Sequence, residues 1–150
     1  MFFMFLFASV GSLEYTGTID IFSSYVTRLT DGGLIRTMLV VAIIAGMMSA
    51  ILDNVLAVAV LIPIVNDLIA LNPELRFPLW WTLLFAATLF GNLTPIGSTA
   101  NIVALGVLNR RHMGHISFRE WLKYGFAVTL TTAVVAFFAI LIQVPLMNAG

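Results

Sequence analysis

The sequence predicts an all-α integral membrane protein that contains a re-entrant hairpin and a broken transmembrane helix. Three observations predict it. First, 61% of the 150 residues are hydrophobic and only 9% charged, with a mean hydropathy of +1.06, whereas soluble domains run near 45–50% apolar and about 25% charged. Second, the run 77–109 carries no charge over 33 residues; as straight helix it would be roughly 50 Å long, against a hydrocarbon core of about 30 Å. Third, polar and helix-breaking residues interrupt two apolar stretches, at Asp53-Asn54 and at FGNLTPIGSTAN, 90–101.

Residues 1–13 (MFFMFLFASVGSL) are apolar but short of the roughly 20 residues a spanning helix needs, so they read as the end of a truncated helix. They lack a basic leader segment, which argues against a cleaved signal peptide. Over 18–30, Ile19, Phe22, Val26 and Leu29 form one apolar face among polar residues, the pattern of an interfacial helix. Thr30-Asp31-Gly32-Gly33 is a turn. A transmembrane helix follows over 34–50. Then 51–70 reads as a re-entrant hairpin, because Asp53-Asn54 would otherwise lie deep in hydrocarbon and the apolar pieces beside it are short. Pro63 falls in the returning arm.

The overlong run is expected as a broken transmembrane helix over 78–109, cut near Gly91 and at Pro95 to Gly97, with Trp80 and Trp81 as an interfacial anchor. Ser117 and Glu120 have the spacing of a capping box, with Ile116 and Trp121 as its hydrophobic staple. The last span covers 117–144. Six of the seven basic residues fall in two loops. The positive-inside rule then sets loops 28–36 and 110–123 on the cytoplasmic side of a cell membrane.

Seven basic and seven acidic residues cancel, so nothing suggests a nucleic-acid partner. With no cysteine there is no disulfide framework or thiolate metal site. His112 and His115 in a basic loop read as solvated. No paired carboxylates, Ser-His arrangement or phosphate-binding loop is present, so the chain does not read as an enzyme.

Two motifs remain as candidate sites. An ionisable residue within a membrane costs at least about 2.5–3.5 kcal/mol at a helix centre and usually faces a cavity or an ion path. Asp53 is therefore a candidate ion or proton ligand, with Asn54 as a neutral one. The blander reading is a wet carboxylate or one that caps a helix. In the second motif, a proline kink alone would not call for Asn92, Thr94, Ser98 and Asn101 around Gly97. A half-helix ending near Phe90 leaves carbonyls for a cation, and another starting near Ser98 leaves N–H groups for an anion.

The stretches SAILDNVLAVAVLIPIV (49–65) and LWWTLLFAATLFGNLTPIGSTANIVALGV (79–107) resemble the second half of permeases in the ion-transporter superfamily, nearest its arsenite-pump, NhaD-type antiporter and citrate-transporter-like group. The opening residues resemble the start of that half. The likeness implies one repeat of an inverted-repeat transporter, in which hairpin and broken-helix tips meet at mid-membrane. It places Asp53 and Asn54 at the hairpin tip, and Asn92, Thr94, Gly97, Ser98 and Asn101 in the broken helix. A sodium ion at Asp53, Asn54 and Asn101 would be the only cofactor. The implied partners are a small ion substrate, the lipid bilayer, and an N-terminal half or a second copy. Two departures stand out: a single half, and FGN where relatives often read G-G-N. Three functions follow as expectations: a sodium- or proton-coupled carrier, a non-transporting half that requires a partner, or a passive channel.

Overall fold

A computed structural model describes residues 1–111, 114 and 116–147. The described residues form seven α-helices: α1 (Phe2–Tyr15), α2 (Thr18–Thr30), α3 (Leu34–Ile51), α4 (Asn54–Leu71), α5 (Arg76–Phe90), α6 (Thr99–Arg110) and α7 (Phe118–Met147), with a 3₁₀ turn, Pro73–Leu75, before α5. Three of them, Leu34–Ile51, Asn54–Leu71 and Phe118–Leu146 within α7, are long and apolar enough to cross a membrane. His112 and His115 lie outside the described residues.

The helices α3 and α4 fold back on each other. Leu52 and Asp53 are extended, with ψ of 169° and 143°, and these two residues reverse the chain. At the other end the Asn72 amide donates to the Gly32 carbonyl at 3.4 Å. Between tip and base, Met38, Val41 and Ala45 of α3 bury with Leu61, Ile64, Val65 and Leu68 of α4. The turn into α3 needs left-handed backbone at Asp31 and Gly32, with φ of 50° and 66°, and Gly32 supplies it without a Cβ penalty.

Within 51–70, expected as a re-entrant hairpin, the structure holds the reversal at Leu52-Asp53 and one helix, Asn54–Leu71, with Pro63 inside it; the helix before the reversal is Leu34–Ile51. Proline removes one helical N–H, but the helix continues past it, so the chain reverses only at Leu52-Asp53. The basic residues divide between the two ends of the bundle. Arg28 and Arg36 lie at the hairpin base, and α5 starts from the same end with Arg76. The first turns of α7, carrying Arg119 and Lys123, lie at the tip end, where Trp121 meets Asn92. Arg28 and Arg36 therefore lie at one end of the bundle, and Arg119 and Lys123 at the other.

Helix α5 runs alongside α3 from base to tip, and this is the most extensive helix contact. Small residues make it possible: Ala45, Gly46, Ser49 and Ala50 are buried on α3, and Ala86 and Ala87 on α5. Lipid tails are as apolar as leucine, so association of buried helices relies on such close packing and on interhelical hydrogen bonds. The Phe90 ring lies on Gly46, where an added Cβ would stand 2.6 Å from it, and the buried Ser49 hydroxyl donates to the Ala87 carbonyl. Helix α7 packs on the other side of α5 and buries Thr129 and Ile140. Helix α2 covers α4 through Ile19 and Val26, with Ser23 donating to Asp67 at 3.1 Å. Val10 of α1 rests on Ala59. The capping box forms as expected: Ser117 N donates to Glu120 Oε2 at 2.8 Å, and Glu120 N donates to Ser117 Oγ at 3.3 Å.

One hydroxyl breaks the pattern. Thr82, 2% exposed, has no hydrogen-bond partner and lines a cavity of about 30 Å³ with Phe85, Phe137 and Ile140. Two substitutions should therefore act in opposite directions in thermal unfolding of the detergent-solubilised protein. Gly46→Leu should lower the midpoint through overpacking of about 1–3 kcal/mol. Thr82→Val, which removes an unpaired buried hydroxyl at constant volume, should raise it slightly or leave it unchanged.

Candidate functional site

The hairpin tip meets the gap between α5 and α6. Asp53 is the N-cap of α4: its Oδ1 accepts from Val55 N at 2.9 Å. Its Oδ2 accepts from the Thr99 hydroxyl at 3.1 Å, at the first residue of α6. Asp53 thus fills the capping role, and the same carboxylate also joins the hairpin to the second half-helix. Asn54 follows it, half-buried, at the start of α4.

Residues 91–98 leave the helical path between α5 and α6. Two glycines let three backbones meet there. A Cβ on Gly97 would stand 2.7 Å from the Gly91 carbonyl oxygen and 2.9 Å from that of Ser49. A Cβ on Gly91 would stand 3.2 Å from the Gly97 carbonyl oxygen and 3.3 Å from the Ser49 hydroxyl. Both glycines serve close approach rather than an unusual φ, since the positive-φ glycines lie elsewhere. Thr94 ties the gap to the hairpin: its hydroxyl donates to the Ala50 carbonyl at the end of α3 and accepts from Gly97 N at 3.0 Å. Ser98 caps α6, its Oγ accepting from Ala100 N at 3.2 Å.

Asn101 is the one buried residue of α6. Its amide nitrogen donates to the carbonyls of Gly91, at 3.0 Å, and Thr94, at 3.2 Å. Both of its donor hydrogens are therefore used on backbone, and Oδ1 is left as the acceptor. The neighbouring carbonyls are also engaged. Phe90 O accepts from Leu93 N at 2.9 Å, and Leu89 O accepts from Asn92 N at 3.2 Å. The exposed Asn92 is held by its backbone, its carbonyl accepting from Trp121 Nε1 at 3.1 Å.

The structure thus brings Asp53, Asn54, Thr94, Gly97, Ser98 and Asn101 to one place, while Asn92 meets α7 through its carbonyl. The free carbonyls expected after Phe90 are largely paired within the protein, as the cost of an unpaired polar group in an apolar medium requires. Acceptors dominate what remains: an ionised Asp53 has more lone pairs than its two hydrogen bonds use, and Asn101 contributes Oδ1. Oxygen donors of this kind suit a hard cation. Among the described residues no three His, Cys, Asp or Glu side chains gather in one place. Sequence reasoning missed five positions. Ser49 lies four residues before Asp53, and Thr99 lies inside the broken-helix motif. Trp121, Gly125 and Thr129 are spaced four apart on α7, a signal readable in the sequence.

An all-helical chain with several helices of membrane-crossing length is the architecture of a multi-pass membrane protein. The chain belongs to the citrate transporter family CitMHS, whose model matches residues 1–147. It is 37% identical over 139 residues to an uncharacterized transporter of Mycobacterium tuberculosis (strain ATCC 25618 / H37Rv), covering 91% of this chain and 32% of the relative. It is 29% identical over 152 residues to an uncharacterized transporter of Synechocystis, covering 91% of this chain and 34% of the relative. The human P protein matches at 29% over 143 residues, 90% of this chain and 17% of that protein. The chain therefore spans about a third or less of the curated relatives it matches. No solved structure matches it. The family and the transporter-named relatives are permeases rather than enzymes.

The Asn101 network can be tested apart from transport. Asn101→Leu keeps the volume but leaves two carbonyls without donors, at about 1–3 kcal/mol for each buried group. It should lower the unfolding midpoint clearly and expose the segment around Pro95 to protease. An unchanged midpoint and digestion pattern would contradict the role given to this amide.

Proposed function

We propose that the chain is part of a secondary transporter and contributes one ion site, formed where the hairpin tip meets the interrupted helix. The observation that carries this reading is the Asp53 carboxylate, which caps α4 and accepts from Thr99 of α6 with further lone pairs available. The coupling ion is sodium or a proton, taken by Asp53 with the oxygens of Asn54 and Asn101. The substrate is a small inorganic or carboxylate ion; the family description, a citrate transporter, supports a carboxylate. Its negative group would sit near the N-terminal end of α6, where the helix dipole favours negative charge. Alternating access, with the hairpin arms re-entrant from one face of a cell membrane, completes the reading.

A second element concerns partners. Helix α6 buries only Asn101, and it exposes Ile102 (53%), Val103 (59%) and Val107 (47%). Interrupted backbone at membrane depth is tolerated only when protein or a wet cavity covers it. We read this face as covered by further parts of the transporter or by a second copy of the chain.

The test uses the intact protein in sealed vesicles, with uptake of citrate, other carboxylates and inorganic anions measured with and without sodium and proton gradients. Asp53→Asn should reduce gradient-driven uptake by roughly tenfold or more, as expected for loss of one charge-assisted contact, with the protein still in the membrane. Unchanged uptake in this variant would remove Asp53 from the site. Flux indifferent to both gradients in the unaltered protein would make it a passive channel.

A further inference from the structure

One face of α7 meets the carbonyl end of α5. The indole Nε1 of Trp121 donates to the Asn92 carbonyl at 3.1 Å. Two turns on, the Thr129 hydroxyl donates to the Leu89 carbonyl at 3.4 Å. Between them lies Gly125, where an added Cβ would stand 2.8 Å from Asn92 O and 2.9 Å from Leu93 O. Residues 121, 125 and 129 are four apart, so they form one stripe along the helix. A donor, a gap and a second donor on this stripe match three carbonyls of the chain leaving α5.

The Asn92 and Leu93 carbonyls lie beyond the last turn of α5, where the helix supplies no backbone donor, while Leu89 O already accepts from Asn92 N at 3.2 Å and takes Thr129 as a second partner. In an apolar medium such an oxygen must find a donor within the protein or attract a cation. The hairpin secures the far side of the interruption, through Thr94 to Ala50 and Thr99 to Asp53. Asn101 ties α6 back to Gly91 and Thr94. Among the described residues, the α7 stripe alone holds the near side from outside the hairpin and the interrupted helix. It fixes where Gly91 and Asn92 lie, and so where Asn101 is held.

We propose that Trp121 and Gly125, supported by Thr129, are positioning residues of the transport site. They touch neither ion nor substrate. They set the interrupted backbone at the register in which Asn101 and Asp53 face the same ion. This inference rests on the transporter reading, but its first measurement does not.

The stretch has no cysteine of its own, so Ile96→Cys introduces a reporter into the interruption at a residue 55% exposed. In the intact protein in membranes, Trp121→Phe keeps an aromatic ring and removes the donor. It should raise the rate of maleimide labelling at position 96 by roughly two- to tenfold, the range set by one lost hydrogen bond. In the protein without the reporter, it should raise the half-saturating concentration of the coupling cation by a similar factor, at unchanged membrane abundance. A merely structural residue would instead lower abundance and leave the half-saturation of the surviving protein unchanged. Should Trp121→Phe fail to reach the membrane, Thr129→Val, a change of nearly constant volume, takes its place in both measurements. Labelling equal to that of the unaltered residue overturns the proposal, and so does faster labelling with an unshifted half-saturation. If the unaltered protein shows no cation-dependent uptake, the transporter reading fails, and the labelling rates alone decide whether α7 holds the interruption.

Discussion

The structure depends on one close approach of backbone to backbone. Gly97 lies against the carbonyls of Gly91 and Ser49 at distances that leave no room for a side chain. Because these three strands of main chain touch, the end of α3, the end of α5 and the approach to α6 share one small volume. The Thr94 hydroxyl can then reach Ala50, and the Asn101 amide can reach Gly91. Each contact satisfies a backbone group that the interruption of a helix would otherwise leave bare, and lipid could not supply the partner. The polar side chains of this region are thus structural before they are chemical, and the acceptors left over are what a ligand would meet.

Much of this was legible in the sequence because it rests on local rules. Hydropathy and a run too long for a bilayer point to the interruption at 91–98. The spacing of Ser117 and Glu120 points to the capping box. The bounds of the hairpin arms were less legible. Asp53-Asn54 reads as its tip, and the arms read as lying within 51–70 because the apolar pieces beside the pair are short, with Pro63 in the returning arm. A proline can lie inside a long helix when its neighbours supply the packing, and no local signal distinguishes that case. The arms are identified by long-range contacts, such as Asn72 with Gly32, 40 positions apart. The site was legible as a set of residue types but not as a set of bonds. Asn101, read as a ligand, also spends its amide donors on the Gly91 and Thr94 carbonyls, and Trp121, read as a staple residue, also reaches Asn92.

Helices in this chain differ sharply in how much neighbour they have. Helix α5 is enclosed by α3, α4 and α7. Helix α6, which continues the same run, has only its first turn secured. The transition falls at the interruption itself, so the two half-helices have different surroundings: one belongs to the bundle, and the other extends from it. This asymmetry agrees with a chain that matches about a third or less of its relatives. The surface that α6 offers is apolar, in keeping with coverage by protein or lipid rather than water.

The hairpin geometry also bears on how this segment enters a membrane. With α3 and α4 as the two arms, Arg28, Arg36 and Arg76 gather at one end of the bundle, and Arg119 and Lys123 of α7 lie at the other, where Trp121 meets Asn92. The topogenic signal counts basic residues near span ends and ignores most acidic ones. Three against two is close to even, so these two ends differ little as a topology signal. Moving one or two arginines between them would be enough to tip the preference of the segment.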